Sequence, residues 1–213
     1  MPSTLHSSAS DRPLRTGIFG GSFNPIHTGH VALARHLLRL GEVDELWFVV
    51  SPLNPFKQGR TDLLPDHVRL HLAQLATAPY PGLSVCDIEM HLPRPSYMVT
   101  TLAHLRRLHP RRRFTLVIGA DNWERFPQWK DSQEILDHHD ILVYPRPGVP
   151  AIAGPLPPRV RFVSTPLLDI SSTDIRRQIA QGCFRGRGLS PAVRREIARQ
   201  GYYRSAPSTD RPA

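Results

Sequence analysis

Hydrophobic positions in this 213-residue chain follow two alternating patterns from Leu14 onward. Short runs rich in β-branched and aromatic residues predict strands, and segments with apolar residues at helical spacing predict helices between them. The predicted strands are Arg15–Phe19, Glu45–Val50, Leu83–Glu89, Phe114–Gly119, Asp140–Tyr144 and Val160–Ser164. The predicted helices are His30–Leu40, Pro65–Ala78, Ser96–His109, Gln133–Asp137, Thr173–Ala180 and Pro191–Gln200.

This alternation of strands and helices predicts one α/β domain over residues 14–204. The expected architecture is a single Rossmann-like, doubly wound parallel sheet with helices on both faces and a small C-terminal helical extension. We expect a disordered leader at 1–13 and a disordered tail at 205–213. Ligands of such sheets bind beyond the carboxyl ends of the strands. The loops after Phe19, Val50, Gly119 and Tyr144 are therefore the candidates for a binding site.

Composition narrows the class of protein. The chain is 40% hydrophobic and 21% charged, and no apolar run approaches the ~20 residues that span a bilayer. The leader is polar without an apolar core, so we expect no signal peptide, no membrane partner and a cytoplasmic location. Cys86 and Cys183 lie far apart and predict neither a disulfide nor a zinc site. The net charge of +9 favours an anionic partner, either nucleic acid or a triphosphate.

The segment after the first predicted strand carries the strongest chemical signal. It reads Gly20-Gly21-Ser22-Phe23-Asn24-Pro25-Ile26-His27-Thr28-Gly29-His30. Glycines allow the backbone to approach a phosphate, and the N-terminus of the following helix favours an anion. His27 and His30 are three residues apart and would face the same ligand. The segment is not Gly-x-Gly-x-x-Gly, a P-loop or His-Glu-x-x-His.

A second segment reads Ile170-Ser171-Ser172-Thr173-Asp174-Ile175-Arg176. Its hydroxyl and backbone N–H groups lie at a predicted helix start and suit a phosphate tail, to which Arg176 adds a guanidinium. A plain helix N-cap explains the same serines and threonine without a ligand.

Together, the two segments resemble the nucleotidyltransferase superfamily with a His-x-Gly-His motif. More narrowly, residues from about Thr16 to Tyr203 resemble the bacterial nicotinate-nucleotide adenylyltransferases. The resemblance implies adenylyl transfer from ATP to nicotinate mononucleotide, forming nicotinate adenine dinucleotide and pyrophosphate. It also implies Mg²⁺ held by the phosphates, with no metal ligand from the side chains. We expect ATP and nicotinate mononucleotide as partners, no nucleic acid, and a possible homo-oligomer.

The resemblance also assigns roles to residues. The catalytic group is His27, His30 and Arg176. The ATP-binding group is Gly20, Gly21, Ser22, Phe23, Lys57, Gly119, Asp121, Ser171, Ser172 and Thr173. The group for nicotinate mononucleotide is Tyr97, Trp129 and Arg146. Without the resemblance, Asp121 is also explained as a turn carboxylate, Trp129 as a core aromatic and Arg146 as a solvated loop residue.

The chain departs from the family pattern at several positions. Met98 stands where a Thr is common, so selectivity for the acid over the amide would rest on backbone amides near Trp129. Asn54-Pro55-Phe56-Lys57 replaces a segment that often contains Pro-Pro-His. Ser22 and Asn24 replace Thr and Asp, and both keep hydrogen-bonding capacity.

Other functions remain open at this stage. The same fold could use a nicotinamide nucleotide or phosphopantetheine as acceptor, and a non-catalytic RNA-binding protein would also use the positive charge. The Arg-rich segment 106–113 is interpreted as a solvated loop, and His138 and His139 as surface residues.

Overall fold

The computed structural model of the protein describes residues 12–53, 62–149, 155–165 and 170–204. A parallel sheet forms their centre, with strands β1 (Leu14–Gly21), β2 (Glu45–Val50), β3 (Leu83–Cys86), β4 (Arg112–Gly119), β5 (Asp140–Tyr144) and β6 (Val160–Phe162). The order across the sheet is β3-β2-β1-β4-β5-β6, and every neighbouring pair is parallel. The winding direction reverses between β1 and β4. The predicted doubly wound fold is confirmed.

Helices cover both faces of this sheet. They are α1 (Thr28–Arg39), α2 (Asp66–Thr77), α3 (Met98–Leu108), α4 (Ala120–Glu124), α5 (Ser132–His138), α6 (Ser172–Ala180) and α7 (Pro191–Gln200). Successive strand side chains point to opposite faces, so Phe19 joins the core formed with α1, α2 and α7, whereas Ile18 joins the core formed with α3 and α5. Among the described helices, none is long and apolar enough to span a membrane.

The predicted boundaries fail mainly around β3. That strand ends at Cys86, and a 3₁₀-helix follows at Ile88–His91, where the prediction continued the strand to Glu89. The Glu89 carboxylate is buried and accepts a hydrogen bond from the Thr101 hydroxyl at 2.9 Å, which a straight strand would not provide. Two short helical segments, α4 and a 3₁₀-helix at Phe126–Gln128, were not predicted because neither is long enough for apolar residues to repeat at helical spacing.

Two surface predictions were also wrong. His139 is 4% exposed, and its Nδ1 lies 3.2 Å from the Phe114 carbonyl oxygen, because the residue lies at the turn where α5 runs back into β5. Arg112 and Arg113 belong to β4 rather than to a loop, although the Arg113 side chain is solvent-exposed as predicted. Their guanidinium groups pair with Glu45 at 3.2 Å and Asp140 at 2.8 Å.

Candidate active site

A cavity of about 650 Å³ opens at the carboxyl edge of the sheet, where the winding direction reverses. Its wall is formed by the loops after β1, β4 and β5, the start of α3 and the start of α6. Of the sixteen residues predicted for the site, fifteen line this one cavity, whereas Lys57 lies outside the described residues. The fifteen are Gly20, Gly21, Ser22, Phe23, His27, His30, Tyr97, Gly119, Asp121, Trp129, Arg146, Ser171, Ser172, Thr173 and Arg176. Their convergence is observed, and their individual roles remain predictions.

The two histidines form a stacked pair at the start of α1. Their ring centroids are 3.5 Å apart, with 21° between the ring planes. His27 is the N-cap: its Nδ1 accepts from the His30 backbone N–H at 3.4 Å, and His30 Nδ1 accepts from the His27 backbone N–H at 3.2 Å. Because Nδ1 is an acceptor in both rings, each neutral imidazole carries its proton on Nε2. In each ring Nε2–H is therefore the hydrogen-bond donor.

Burial keeps the first of these rings neutral. His27 is 6% exposed, and burial lowers its pKa from 6.5 to about 3, with the positive charge of Arg146 adding to the decrease. Gly29 makes the arrangement possible, because a Cβ at this position would lie 3.0 Å from His27 Nδ1. The glycine of the His-x-Gly-His sequence therefore leaves room for the histidine ring.

Phe23 forms part of the floor beneath the pair. Its ring packs edge-on against His30 with 5.1 Å between centroids, and against Phe19 at 5.7 Å. Its backbone has φ of +43°, a region that few side chains larger than Gly or Asn adopt. The loop after β1 is thus held in an unusual backbone conformation by aromatic packing.

The start of α6 faces this loop, but two of its hydroxyl groups are already engaged. Ser171 Oγ caps the helix by accepting from the N–H groups of Thr173 at 3.2 Å and Asp174 at 3.4 Å. Ser172 Oγ donates to the Pro25 carbonyl at 2.8 Å. Ser171 is therefore a helix N-cap, as the alternative explanation predicted, and the start of α6 also lines the cavity.

Arg176 binds two parts of the opposite wall. Its Nη1 donates to the Asn24 carbonyl at 2.8 Å, and its Nη2 donates to Asp62 Oδ2 at 2.6 Å. Thr173 Oγ1 lies 3.5 Å from the same Nη2. A triphosphate that used Arg176 would compete with the Asp62 carboxylate.

Asn24 connects segments that are far apart in the sequence, and we did not predict this role from the sequence. Its Nδ2 donates to the Asp62 carbonyl at 2.8 Å, while its Oδ1 accepts from the Leu64 N–H at 3.2 Å and the Tyr203 hydroxyl at 2.8 Å. Burial raises the pKa of Tyr203 well above its usual value of 10. The Tyr203 hydroxyl therefore remains a donor at neutral pH.

The loops after β4 and β5 bring an acid and a base together. Arg146 Nε lies 3.5 Å from Asp121 Oδ1, and Gly119 permits this contact, because a Cβ there would lie 2.5 Å from that oxygen. Asp121, predicted to bind ATP, and Arg146, predicted to bind nicotinate mononucleotide, are thus adjacent. Burial raises the pKa of the nearby Tyr144 to about 12, so that its phenol stays neutral.

Aromatic residues line another part of the cavity. Trp129 packs against Phe126 with 5.3 Å between ring centroids, and its indole N–H is buried with no hydrogen-bond partner among the described residues. Lys130 Nζ lies 4.8 Å from the centre of the Tyr97 ring. Lys130 was missed as a site residue although it directly follows Trp129, because a single loop lysine carries no signal of its own. This region combines flat rings with a positive charge.

No three His, Cys, Asp or Glu side chains within the described ranges form a group that could hold a metal ion. Two of the described carboxylates line the cavity: Asp121 lies 3.5 Å from Arg146 Nε, and the buried Glu89 accepts a hydrogen bond from the Thr101 hydroxyl.

The doubly wound sheet and the histidine pair at its carboxyl edge define a nucleotidyltransferase of the α/β class. The cytidylyltransferase-like family pattern matches residues 18–178. A "probable nicotinate-nucleotide adenylyltransferase" of Bacteroides thetaiotaomicron is 52% identical over 171 residues, which cover 80% of this chain and 84% of that protein. A protein of the same description from Bacteroides fragilis is 50% identical over 186 residues, covering 87% and 92%. The chain therefore belongs to the nicotinate-nucleotide adenylyltransferase branch of the cytidylyltransferase-like family.

Solved structures agree with this assignment at the level of the fold. A Plasmodium falciparum nicotinic acid mononucleotide adenylyltransferase complexed with NaAD superimposes with a TM-score of 0.73 at 18% identity, covering 89% of this chain and 97% of that one. A complex of the same enzyme with APC gives the same values. The resemblance to these structures extends over nearly the whole length of both chains.

Proposed function

We propose that this protein transfers the adenylyl group of ATP to nicotinate mononucleotide, forming nicotinate adenine dinucleotide and pyrophosphate. The observation that carries the proposal is the convergence of the stacked histidines, the start of α6 and the aromatic part of the cavity on one space. Relatives at 50% identity or more have names that specify this acceptor.

The proposed reaction is an in-line displacement at the α-phosphorus of ATP. A phosphate oxygen of the mononucleotide forms the new bond, and the bond from the α-phosphorus to the bridging oxygen breaks, so that pyrophosphate leaves with that electron pair. The attacking oxygen is already ionised near neutral pH, so no general base is required. Catalysis then consists of positioning two anions and stabilising the negative charge that develops.

The residues of the cavity divide these tasks. The Nε2–H groups of His27 and His30 donate to phosphate oxygens, and Arg176 holds the β- and γ-phosphates after exchanging its Asp62 contact. Gly20, Gly21, Ser22 and Phe23 supply a close backbone surface. Ser171, Ser172 and Thr173 contribute N–H groups at the start of α6. Lys57, Gly119 and Asp121 complete the proposed ATP site.

The proposed acceptor site is the aromatic part of the cavity. Trp129 stacks on the pyridine ring, Tyr97 borders it, and Arg146 binds the mononucleotide phosphate. Met98 has no hydroxyl group, so Lys130 and backbone amides near Trp129 provide the attraction for the nicotinate carboxylate. A nicotinamide nucleotide is the second candidate acceptor because Met98 removes one expected contact to the acid.

The proposal includes Mg²⁺ as cofactor and a cytoplasmic location, with no nucleic acid or membrane partner. The two described carboxylates that line the cavity are already engaged, Asp121 by Arg146 and Glu89 by Thr101, which fits a cation that arrives bound to the triphosphate. When bound, Mg²⁺ would neutralise charge on the phosphate oxygens.

The test is pyrophosphate release from ATP and Mg²⁺ with nicotinate mononucleotide, nicotinamide mononucleotide or phosphopantetheine as acceptor. We expect rapid release with the acid mononucleotide alone. Release with another acceptor would replace the proposed substrate, and no release with any acceptor would contradict adenylyl transfer.

A further inference from the structure

Helix α2 buries a complete arginine side chain beneath the cavity. Arg69 has no exposed surface and is the largest fully buried side chain in the described residues. Its Nε donates to the Leu64 carbonyl at 2.9 Å, and its Nη1 donates to the Ser22 and Ser51 carbonyls at 2.6 and 2.8 Å. Its Nη2 donates to Asp66 Oδ1 at 2.6 Å and to the Pro52 carbonyl at 3.4 Å.

These contacts join the two loops that follow β1 and β2. Ser22 and Ser51 both line the cavity, whereas Arg69 lies behind them. The Ser51 N–H donates to the Gly21 carbonyl at 2.9 Å, so the loops also bind each other directly. One guanidinium group therefore fixes the relative position of two cavity walls.

The contact with Ser22 also orients the peptide bond that follows it. In a trans peptide the carbonyl and the next N–H point in opposite directions. Because the Ser22 carbonyl is directed at Arg69, the Phe23 N–H is directed away from Arg69. The same residue, Phe23, has the unusual φ of +43°. Arg69 thus holds the peptide group directly before a residue with an unusual positive φ.

The buried charge is not fully neutralised within its cluster. Asp66 pairs with Arg69 through one oxygen and with Arg94 through the other, both at 2.6 Å. Two guanidinium groups thus share one carboxylate. An arginine remains protonated at any physiological pH, so the cluster adds positive charge behind the loop after β1. Hydrophobic side chains of similar volume commonly replace buried ion pairs without loss of stability, and packing alone therefore does not explain the choice of arginine here.

We infer that Arg69 is a positioning residue for the phosphates of ATP, acting through the backbone of the loops that follow β1 and β2. This inference rests on the proposed function, because it assumes that these loops bind ATP. It assigns no contact between Arg69 and the substrate.

The experiment compares Arg69→Lys and Arg69→Met with Leu72→Ala. Leu72 is fully buried on the same helix but packs in the core away from the cavity. For each variant the Tm, the KM for ATP, the KM for nicotinate mononucleotide and kcat are measured. For Arg69→Lys we expect the KM for ATP to rise at least tenfold, with less than a threefold change in the KM for the acceptor. Leu72→Ala should lower the Tm and leave both KM values unchanged.

A merely structural role would reduce the amount of folded enzyme, which lowers apparent kcat without changing either KM. That result for Arg69→Lys would overturn the inference. If Arg69→Met does not fold, Arg69→Lys still decides the question, and equilibrium binding of a non-hydrolysable ATP analogue to Arg69→Lys gives an independent reading. Wild-type enzyme that fails to bind ATP would instead contradict the proposed function.

Discussion

The stacked pair of His27 and His30 shows how the surroundings of a residue change its usual chemistry. Isolated histidines titrate near neutral pH and often act as acids or bases. Here each Nδ1 is engaged by a backbone N–H, and burial lowers the pKa of His27 to about 3. At neutral pH His27 is therefore a hydrogen-bond donor without a charge, which suits the stabilisation of phosphate oxygens.

We predict that His27→Ala and His30→Ala each reduce kcat by about 10²–10³, the usual loss when one donor to a developing charge is removed. Steady-state pyrophosphate release measures the effect. His67→Ala, on the exposed side of α2, is the matched control and should retain full activity. Normal turnover in both site variants would remove the histidines from the mechanism.

The low pKa of His27 also predicts a pH dependence of stability. The unfolded chain takes up a proton on this residue near pH 6.5, whereas the folded protein does so only near pH 3. Between these two pH values the unfolded state binds more protons than the folded state. The stability that His27 contributes is therefore lost as the pH falls from about 6.5 towards 3. The maximum slope is about 1.4 kcal/mol per pH unit.

Denaturant unfolding at pH 7, 6, 5 and 4 tests this prediction with wild type and His27→Gln. The variant should lose stability less steeply with falling pH. His139, whose pKa is also lowered by burial, contributes the same sign in both proteins and cancels in the comparison. Identical slopes would show that His27 is not buried in its neutral form.

At the scale of elements, the start of α6 combines a helix cap with a contact across the cavity. Its N-cap, Ser171, satisfies two backbone N–H groups, and its next turn carries Arg176 to the opposite wall. Helix α7 has a similar cap, with Ser190 Oγ accepting from the Val193 N–H at 3.3 Å, but Ser190 does not border the cavity. The two helices therefore form a natural comparison.

We predict that Ser171→Ala and Ser190→Ala each lower the free energy of unfolding by about 1 kcal/mol, the usual cost of a lost cap. Only Ser171→Ala should also raise the KM for ATP, because it frays the helix start next to the proposed phosphate site. Thermal unfolding and initial-rate kinetics give the two quantities. Equal KM values in the two variants would argue that α6 does not contribute to ATP binding.

On the scale of the whole molecule, the net charge of +9 should attract the anionic substrates. We predict that kcat/KM for ATP falls severalfold when the ionic strength rises from 0.01 to 0.15 M, as the screening length shortens from about 30 to 8 Å. Replacing the exposed Arg106 and Arg107 by Gln should reduce this salt dependence without changing kcat, because both lie at the end of α3 remote from the cavity. A rate that is independent of salt would exclude long-range attraction.

Much of the molecule follows from local sequence patterns. β2 and β5 have the predicted boundaries, since each is a short apolar run followed directly by a turn. The cavity residues of the two motifs could be predicted because each motif is one continuous stretch of sequence whose neighbouring residues together suit phosphate binding. Arg69 could not be found in this way, because a lone charge beside Val68 and Leu72 gives no indication of the distant carbonyls that it binds. Lys57 stays a prediction.

The Asn24 junction has a consequence for protein synthesis. It joins residues 24, 62, 64, 176 and 203, so its last partner is translated 179 residues after Asn24 itself. All described strands of the sheet are translated by Phe162, whereas the loop after β1 receives its final hydrogen bond only after Tyr203 has been made. A nascent chain that stops before Tyr203 therefore lacks one of the hydrogen bonds that hold the loop after β1 at the edge of the cavity.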